Sequence, residues 1–278
     1  MNSRKGRVIY PDDDISDSKG IRVQETTGLL MKRSAFNFGK LFMCGCTFCC
    51  KKYEDFLTQD EMIPIEEIRE MSELPFKSDN TEHINMLKDI WKVVFPKDEV
   101  PVIPSSEWTK LGFQSENPCT DFRGHGYLSL KCIHYFCKNY PLEFKKIITN
   151  NLDYPFLASS TNICSIILYH FNIITSVKLC PCCGTEIMHR KSIPIKEMAN
   201  LASLLNKDYD QIAFYQLYSI GVLLMDHNYN VFSHSKANFN LLNFKEVLLE
   251  TRSQLLALLS TKQHDVDSLY SAAEKFLN

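Results

Sequence analysis

Between Trp108 and Leu130 the chain places one guanidinium among small residues, in the run Thr120-Asp121-Phe122-Arg123-Gly124-His125-Gly126. A guanidinium is planar, keeps its charge at any ordinary pH, and offers a fork of donors that fits a phosphate or a carboxylate. Gly124 and Gly126 would let the backbone turn tightly and leave Arg123 accessible. Asp121 could orient it through a salt link. Two readings of these residues stay open. In one, Arg123 meets a phosphate on another molecule. In the other, Asp121 and Arg123 are a knot that fastens the loop to nearby helix ends.

The second set of reactive side chains is thiols. The chain holds 11 cysteines. The count is odd, and the opening Met1 to Tyr10 has no apolar core of an export signal, so a disulfide framework is not expected. Cys46-Thr47-Phe48-Cys49 and Cys180-Pro181-Cys182-Cys183-Gly184 each carry a pair spaced like a zinc knuckle. Cys46, Cys49, Cys180 and Cys183 together would form a tetrahedral S4 site for a structural zinc ion. Two other readings remain for these residues. One is S-palmitoylation of Cys44, Cys46, Cys49 or Cys50, beside Phe42, Phe48 and Lys51-Lys52. The other is a set of free thiols. Two or more acyl chains would hold a membrane surface stably.

Behind these residues the pattern is helical. Ile84, Leu87, Ile90, Trp91 and Val94 recur at steps of three and four, the stripe of an amphipathic helix that Pro96 ends. Ser105 or Ser106 can cap a short helix carrying Trp108 and Leu111. Residues 112 to 126 read as an irregular loop. Leu128, Leu130, Ile133, His134 and Cys137 continue a helical stripe to Pro141, which starts another helix. Phe156 to Ile174 is apolar on nearly all sides, as in a helix at the centre of a fold. After the cysteine-rich stretch Lys178 to Ile195, helices are expected over about 196 to 206, 209 to 225 and 241 to 260, with a loop through Asn228, Asn230 and Ser233. A last helix should start at Asp265 as its N-cap. Trp108, Phe113 and Phe122 read as core anchors. No alternating strand pattern is convincing. The expectation is an all-α chain of about nine helices: a polar tail over 1–28, a cysteine-rich segment over 29–54, and one helical domain over 55–278.

A formal net charge of −2 leaves no strong field for gripping nucleic acid. No run of about 20 apolar residues is available for a membrane span. Gly does not follow Met1, so a myristoyl anchor is not indicated. A cytoplasmic chain is the expectation, with peripheral contact on internal membranes if the cysteines are acylated.

The spacing Trp108, Gly112-Phe113-Gln114, Pro118, Thr120-Asp121-Phe122-Arg123-Gly124, Gly126, then a Leu-rich helix ending in Tyr135-Phe136, resembles the signature of the ELMO-domain (engulfment and cell motility) family. Tyr154-Pro155-Phe156-Leu157-Ala158 and Asn243-Phe244-Lys245-Glu246-Val247-Leu248 resemble later parts of the same domain. The resemblance covers roughly residues 55 to 260. It implies two functions. Small members look like activators of Arf and Arf-like (Arl) GTPases. Longer members are scaffolds that bind an exchange factor and carry repeats and a pleckstrin-homology module for which 278 residues leave no room. The resemblance therefore points to a GTPase activator, a regulator rather than an enzyme with its own turnover, that requires no cofactor. Arg123 would be its catalytic group. Gln114, Thr120, Asp121, Gly124 and Gly126 would contact the GTPase or orient the loop, with Thr120 capping the turn. The alternative is a non-catalytic adaptor for a small GTPase or its exchange factor. A third reading is a zinc-stabilised interaction domain. His125 stands where the family varies and receives no role.

Overall fold

The computed structural model describes residues 57–150, 154–174, 177–179, 186–188, 195–206, 211–236, 239–263 and 265–277. Nine α-helices lie among them, as the sequence pattern suggests. The first is α1 (Gln59–Glu73). The Thr58 hydroxyl accepts from the Glu61 N–H while the Glu61 carboxylate accepts from the Thr58 N–H, a reciprocal cap that leaves Pro64 inside the helix. Asn80 caps α2 (Thr81–Val94) through Oδ1, which accepts from Glu82 N and His83 N. The stripe Leu87, Ile90, Trp91 and Val94 is buried as its spacing requires.

A 3-10 helix, Ser106–Leu111, is capped by Ser105, and a second, Pro118–Arg123, forms inside the segment expected to be irregular. Then come α3 (Gly126–Asn139), α4 (Pro141–Asn150) and α5 (Phe156–His170). Every residue of α5 up to Leu168 is buried except Asn162, which makes it the central helix its composition suggests. Two three-residue strands follow, β1 (Val177–Leu179) and β2 (Glu186–Met188), antiparallel with Val177 opposite Met188. Strands this short carry no alternation to read in advance.

The remaining helices are α6 (Ile195–Leu205), α7 (Ile212–Ser235), α8 (Phe244–Leu259) and α9 (Val266–Leu277). Asp265 Oδ1 accepts from Ser268 N at 2.8 Å, so the last helix begins at the expected cap. The expected loop through Asn228, Asn230 and Ser233 is instead the last third of α7. Asn228 is buried there, and its amide donates to Thr251 Oγ1 at 3.1 Å and Gln254 Oε1 at 2.9 Å on α8. Tertiary partners override the weak helix propensity of asparagine. The long α7 packs against α8, α3, α9, α5 and α6, and α3 packs against α2, α1, α7 and α5. The segment Gly112–Gly126 sets out from the start of α5 and leads directly into α3.

Candidate functional site

Three aromatic rings hold the loop from below. Trp108 is buried, donates through Nε1 to Val102 O at 3.0 Å, and meets Phe113 edge-on at 6.1 Å between centroids. Phe113 meets Phe122 edge-on at 5.9 Å. Phe122 is 2% exposed and stacks on Phe76 at 5.2 Å. All three are the anchors that their sequence positions suggest. Burial of each large ring contributes about 2–3 kcal/mol.

Gly112 closes the first 3-10 helix in the left-handed region, with φ 84°. A Cβ there would stand 2.7 Å from Phe156 N, and Gly112 O accepts from Ala158 N at 3.2 Å. The arm after Trp108 is thus pressed backbone to backbone on the start of α5.

Polar bonds shape the turn itself. Asn117 Oδ1 accepts from Cys119 N at 3.0 Å and caps the second 3-10 helix. Thr120 sits within that helix, its hydroxyl donating to Asn117 O at 2.9 Å and lying 3.0 Å from Ser115 Oγ. The cap therefore belongs to Asn117, and Thr120 ties the turn back to it. Asp121 Oδ2 accepts from the Gln114 N–H at 2.8 Å, which joins the two arms of the loop. Gln114 is exposed.

Arg123 closes the 3-10 helix, and its two glycine neighbours differ. Gly124 is exposed, with φ −74° and ψ −65°, and a Cβ on it would meet nothing within 4 Å. Neither backbone nor packing requires glycine at 124. Gly126 has φ 29°, and a Cβ on it would lie 2.7 Å from Phe76 N, 2.8 Å from Pro75 Cα and closer still to Leu74 O. Tyr127 N donates to Leu74 O at 2.9 Å. The start of α3 is therefore seated on the α1–α2 connection, and only glycine fits at 126.

His125, given no role by its sequence context, is 5% exposed. Its Nε2 shares a 3.0 Å hydrogen bond with Ser165 Oγ on α5, and its ring meets Tyr169 edge-on at 6.1 Å. Burial lowers its pKa from 6.5 to about 4, so the ring is uncharged near neutrality. A histidine in a glycine-rich loop gives no local sign of a partner forty residues away. Arg123-Gly124 thus lies between two buried rings, Phe122 and His125.

Tyr127 borders this segment. Its ring stacks on His83 at 4.8 Å, its hydroxyl donates to Glu82 Oε1 at 2.7 Å, and Lys131 Nζ stands 5.3 Å from the ring centroid. Burial, together with the Glu82 carboxylate, raises the Tyr127 pKa to about 12. Leu74, half exposed, stands at the same edge.

Residues 66–248 match the ELMO/CED-12 family. This chain belongs to the ELMO/CED-12 family. It is 33% identical over 85 residues to ELMO domain-containing protein 2 of Homo sapiens, covering 31% of this chain and 29% of that one. It is 28% identical over 180 residues to ELMO domain-containing protein C of Dictyostelium discoideum, covering 65% of this chain and 27% of that one. A 35% identical stretch of 78 residues matches ELMO domain-containing protein A of the same organism, 28% of this chain and 8% of the relative. Each match therefore spans less than a third of the relative's own length. No solved structure matches. In this ELMO/CED-12 chain the loop from Trp108 to Gly126 lies inside the matched region.

Cys46, Cys49, Cys180 and Cys183, and with them Cys44 and Cys50, lie outside the described residues. Among the described residues no group of three or more His, Cys, Asp or Glu side chains could hold a metal ion. Cys119, Cys132, Cys137 and Cys164 are unbridged thiols, and burial raises the pKa of Cys137 to about 12. Among the described residues no helix is long and apolar enough to cross a membrane.

Proposed function

We propose that this chain accelerates GTP hydrolysis on a small GTPase of the Arf/Arl class, with Arg123 supplied in trans to the γ-phosphate. One observation carries the reading. Arg123-Gly124 spans the gap between the buried rings of Phe122 and His125, and Gly124 is exposed with open space where a side chain would stand. A glycine that neither conformation nor packing demands leaves room for another backbone to approach the arginine closely. Membership of the ELMO/CED-12 family supports a GTPase-linked role.

Phosphoryl transfer leaves little covalent work to protein side chains, so catalysis is positioning and charge stabilisation. The γ-phosphoryl oxygens gain charge in the transition state. A guanidinium supplied by the activator meets them with two parallel hydrogen bonds in a site from which water has been displaced. An arginine supplied in this way contributes about 10³ to 10⁵ in rate. Gln114 is exposed on the arm opposite, which supports a polar contact from it to the same partner.

GTP hydrolysis measured over a panel of Arf and Arl proteins, with wild type and Arg123→Lys side by side, tests this. Lysine keeps the charge and loses the planar fork, so acceleration should fall at least ~100-fold while binding persists. Binding without acceleration by the wild type would instead identify an adaptor. Full activity in a folded Arg123→Lys variant would end the catalytic assignment.

A further inference from the structure

The imidazole at 125 has no part in the reading above, yet it is among the most enclosed polar groups of the loop. Its hydrogen bond to Ser165 ties the residue two positions after Arg123 to the central helix. Ser165 Oγ also lies 3.4 Å from Thr161 O, one turn back along α5, so the partner hydroxyl is itself oriented. On the other side of Arg123, Phe122 is locked between Phe76 and Phe113. Beyond His125, Gly126 has no space to move against Leu74, Pro75 and Phe76. Positions 122 and 126 are fixed against the 74–76 connection and position 125 against α5, and Arg123-Gly124 spans the interval.

We propose that His125 is a positioning residue for Arg123: its hydrogen bond to Ser165 fixes the backbone exit of the Arg123-Gly124 segment on α5. The proposal rests on the activator reading of Arg123. A leucine would fill similar space, but apolar packing is non-directional and would not set the orientation of the loop. A hydrogen bond has a preferred angle, and this one is directed at an oriented hydroxyl on α5. The ring is neutral near pH 7, so it performs this task without adding a second cation beside Arg123. Misplacing a catalytic group by about 1 Å can cost ~100-fold in rate, which sets the scale of the effect.

The experiment uses the full chain with His125→Leu, His125→Gln, Ser165→Ala and the His125→Leu/Ser165→Ala pair. Amide hydrogen exchange on the chain alone is the first readout. In His125→Leu and Ser165→Ala, exchange across residues 122–126 should rise about tenfold, with the interior of α5 still protected. The second readout is GTP hydrolysis by a GTP-loaded Arf protein, with KM and kcat separated. Both single variants should lose kcat by ~10- to 100-fold with KM within about threefold, because the partner surface is intact and only the transition-state contact is misplaced. The double variant should be no worse than the more damaging single one, since both remove the same bond. Gln at 125, whose amide nitrogen can stand where Nε2 stands, should recover most of kcat. Unchanged exchange at 122–126 overturns the proposal, whatever the GTPase data are. Loosened exchange with unchanged kcat also overturns it and leaves Arg123 catalytic. A wild-type chain that accelerates no GTPase overturns the activator reading and the positioning role together.

Discussion

The loop from Gly112 to Gly126 and the helical pair α7–α8 both seal polar side chains inside the molecule, but with different chemistry. In the pair, the buried amide of Asn228 bonds Thr251 and Gln254 across the helix interface. In the loop, the buried imidazole of His125 bonds Ser165. An amide never titrates, whereas an imidazole does. The two regions also use glycine differently. A Cβ on Gly221 of α7 would stand 2.5 Å from Ile163 Cγ2, a β-branch methyl on α5, and 3.1 Å from Leu255 Cδ1, the tip of a side chain on α8. A Cβ on Gly126 would meet the backbone of 74–76. The helical pair is held by many interchangeable apolar contacts, and the loop by a few contacts with no substitute.

Alanine at the two glycines should expose that difference most strongly. Gly126→Ala should cost about 3 kcal/mol or more, since backbone cannot step aside and φ is positive. Gly221→Ala should cost less, about 2 kcal/mol, because Leu255 can turn and alanine gains helix propensity, while the stiff β-branch of Ile163 must be pushed back with α5. Urea denaturation of both variants measures the pair, and equal losses would remove the distinction.

Acid should separate the regions next. The folded pKa of His125 lies near 4 and the unfolded value near 6.5, so the unfolded chain binds more protons between them. Stability tied to this group is complete above pH 6.5, declines as pH falls, and is fully lost below pH 4. At pH 5 the expected loss is about 2 kcal/mol relative to pH 7. His125→Gln should lack that part of the decline, whereas Asn228→Ala should retain it. Denaturation midpoints of the three proteins at pH 7 and pH 5 decide this.

The smallest effect on stability is expected at Gly124. Gly124→Ala should change folding stability by no more than about 0.5 kcal/mol, since a methyl group there meets open space. The same substitution should weaken capture of a GTP-loaded partner if another backbone closes on this spot. A Gly124→Ala chain with unaltered affinity would move the contact surface elsewhere on the loop.

Local pattern carried much of the architecture. The three- and four-residue steps of α2, the apolar run of α5 and the Asp265 cap of α9 are short-range features, and each element sits where they point. The aromatic anchors Trp108, Phe113 and Phe122 were legible for the same reason: large rings in a loop need burial. Asn228 and Asn230 misled because asparagine favours turns until the helix offers its amide partners, which are Thr251 and Gln254 on α8 for Asn228 and Asp226 one turn back on α7 for Asn230. The hairpin at 177–188 was too short to leave a period.

The amino-acid order alone determined the helical class, the family and the loop that holds Arg123, because these depend on periodicity and on motif spacing within about twenty residues. Only the tertiary structure decided that Gly126 is irreplaceable and Gly124 is not, that Asn117 rather than Thr120 caps the turn, and that His125 is sealed against Ser165. Each of those depends on which distant backbone or side chain the folded chain brings within a few ångströms, and chain order does not record that proximity.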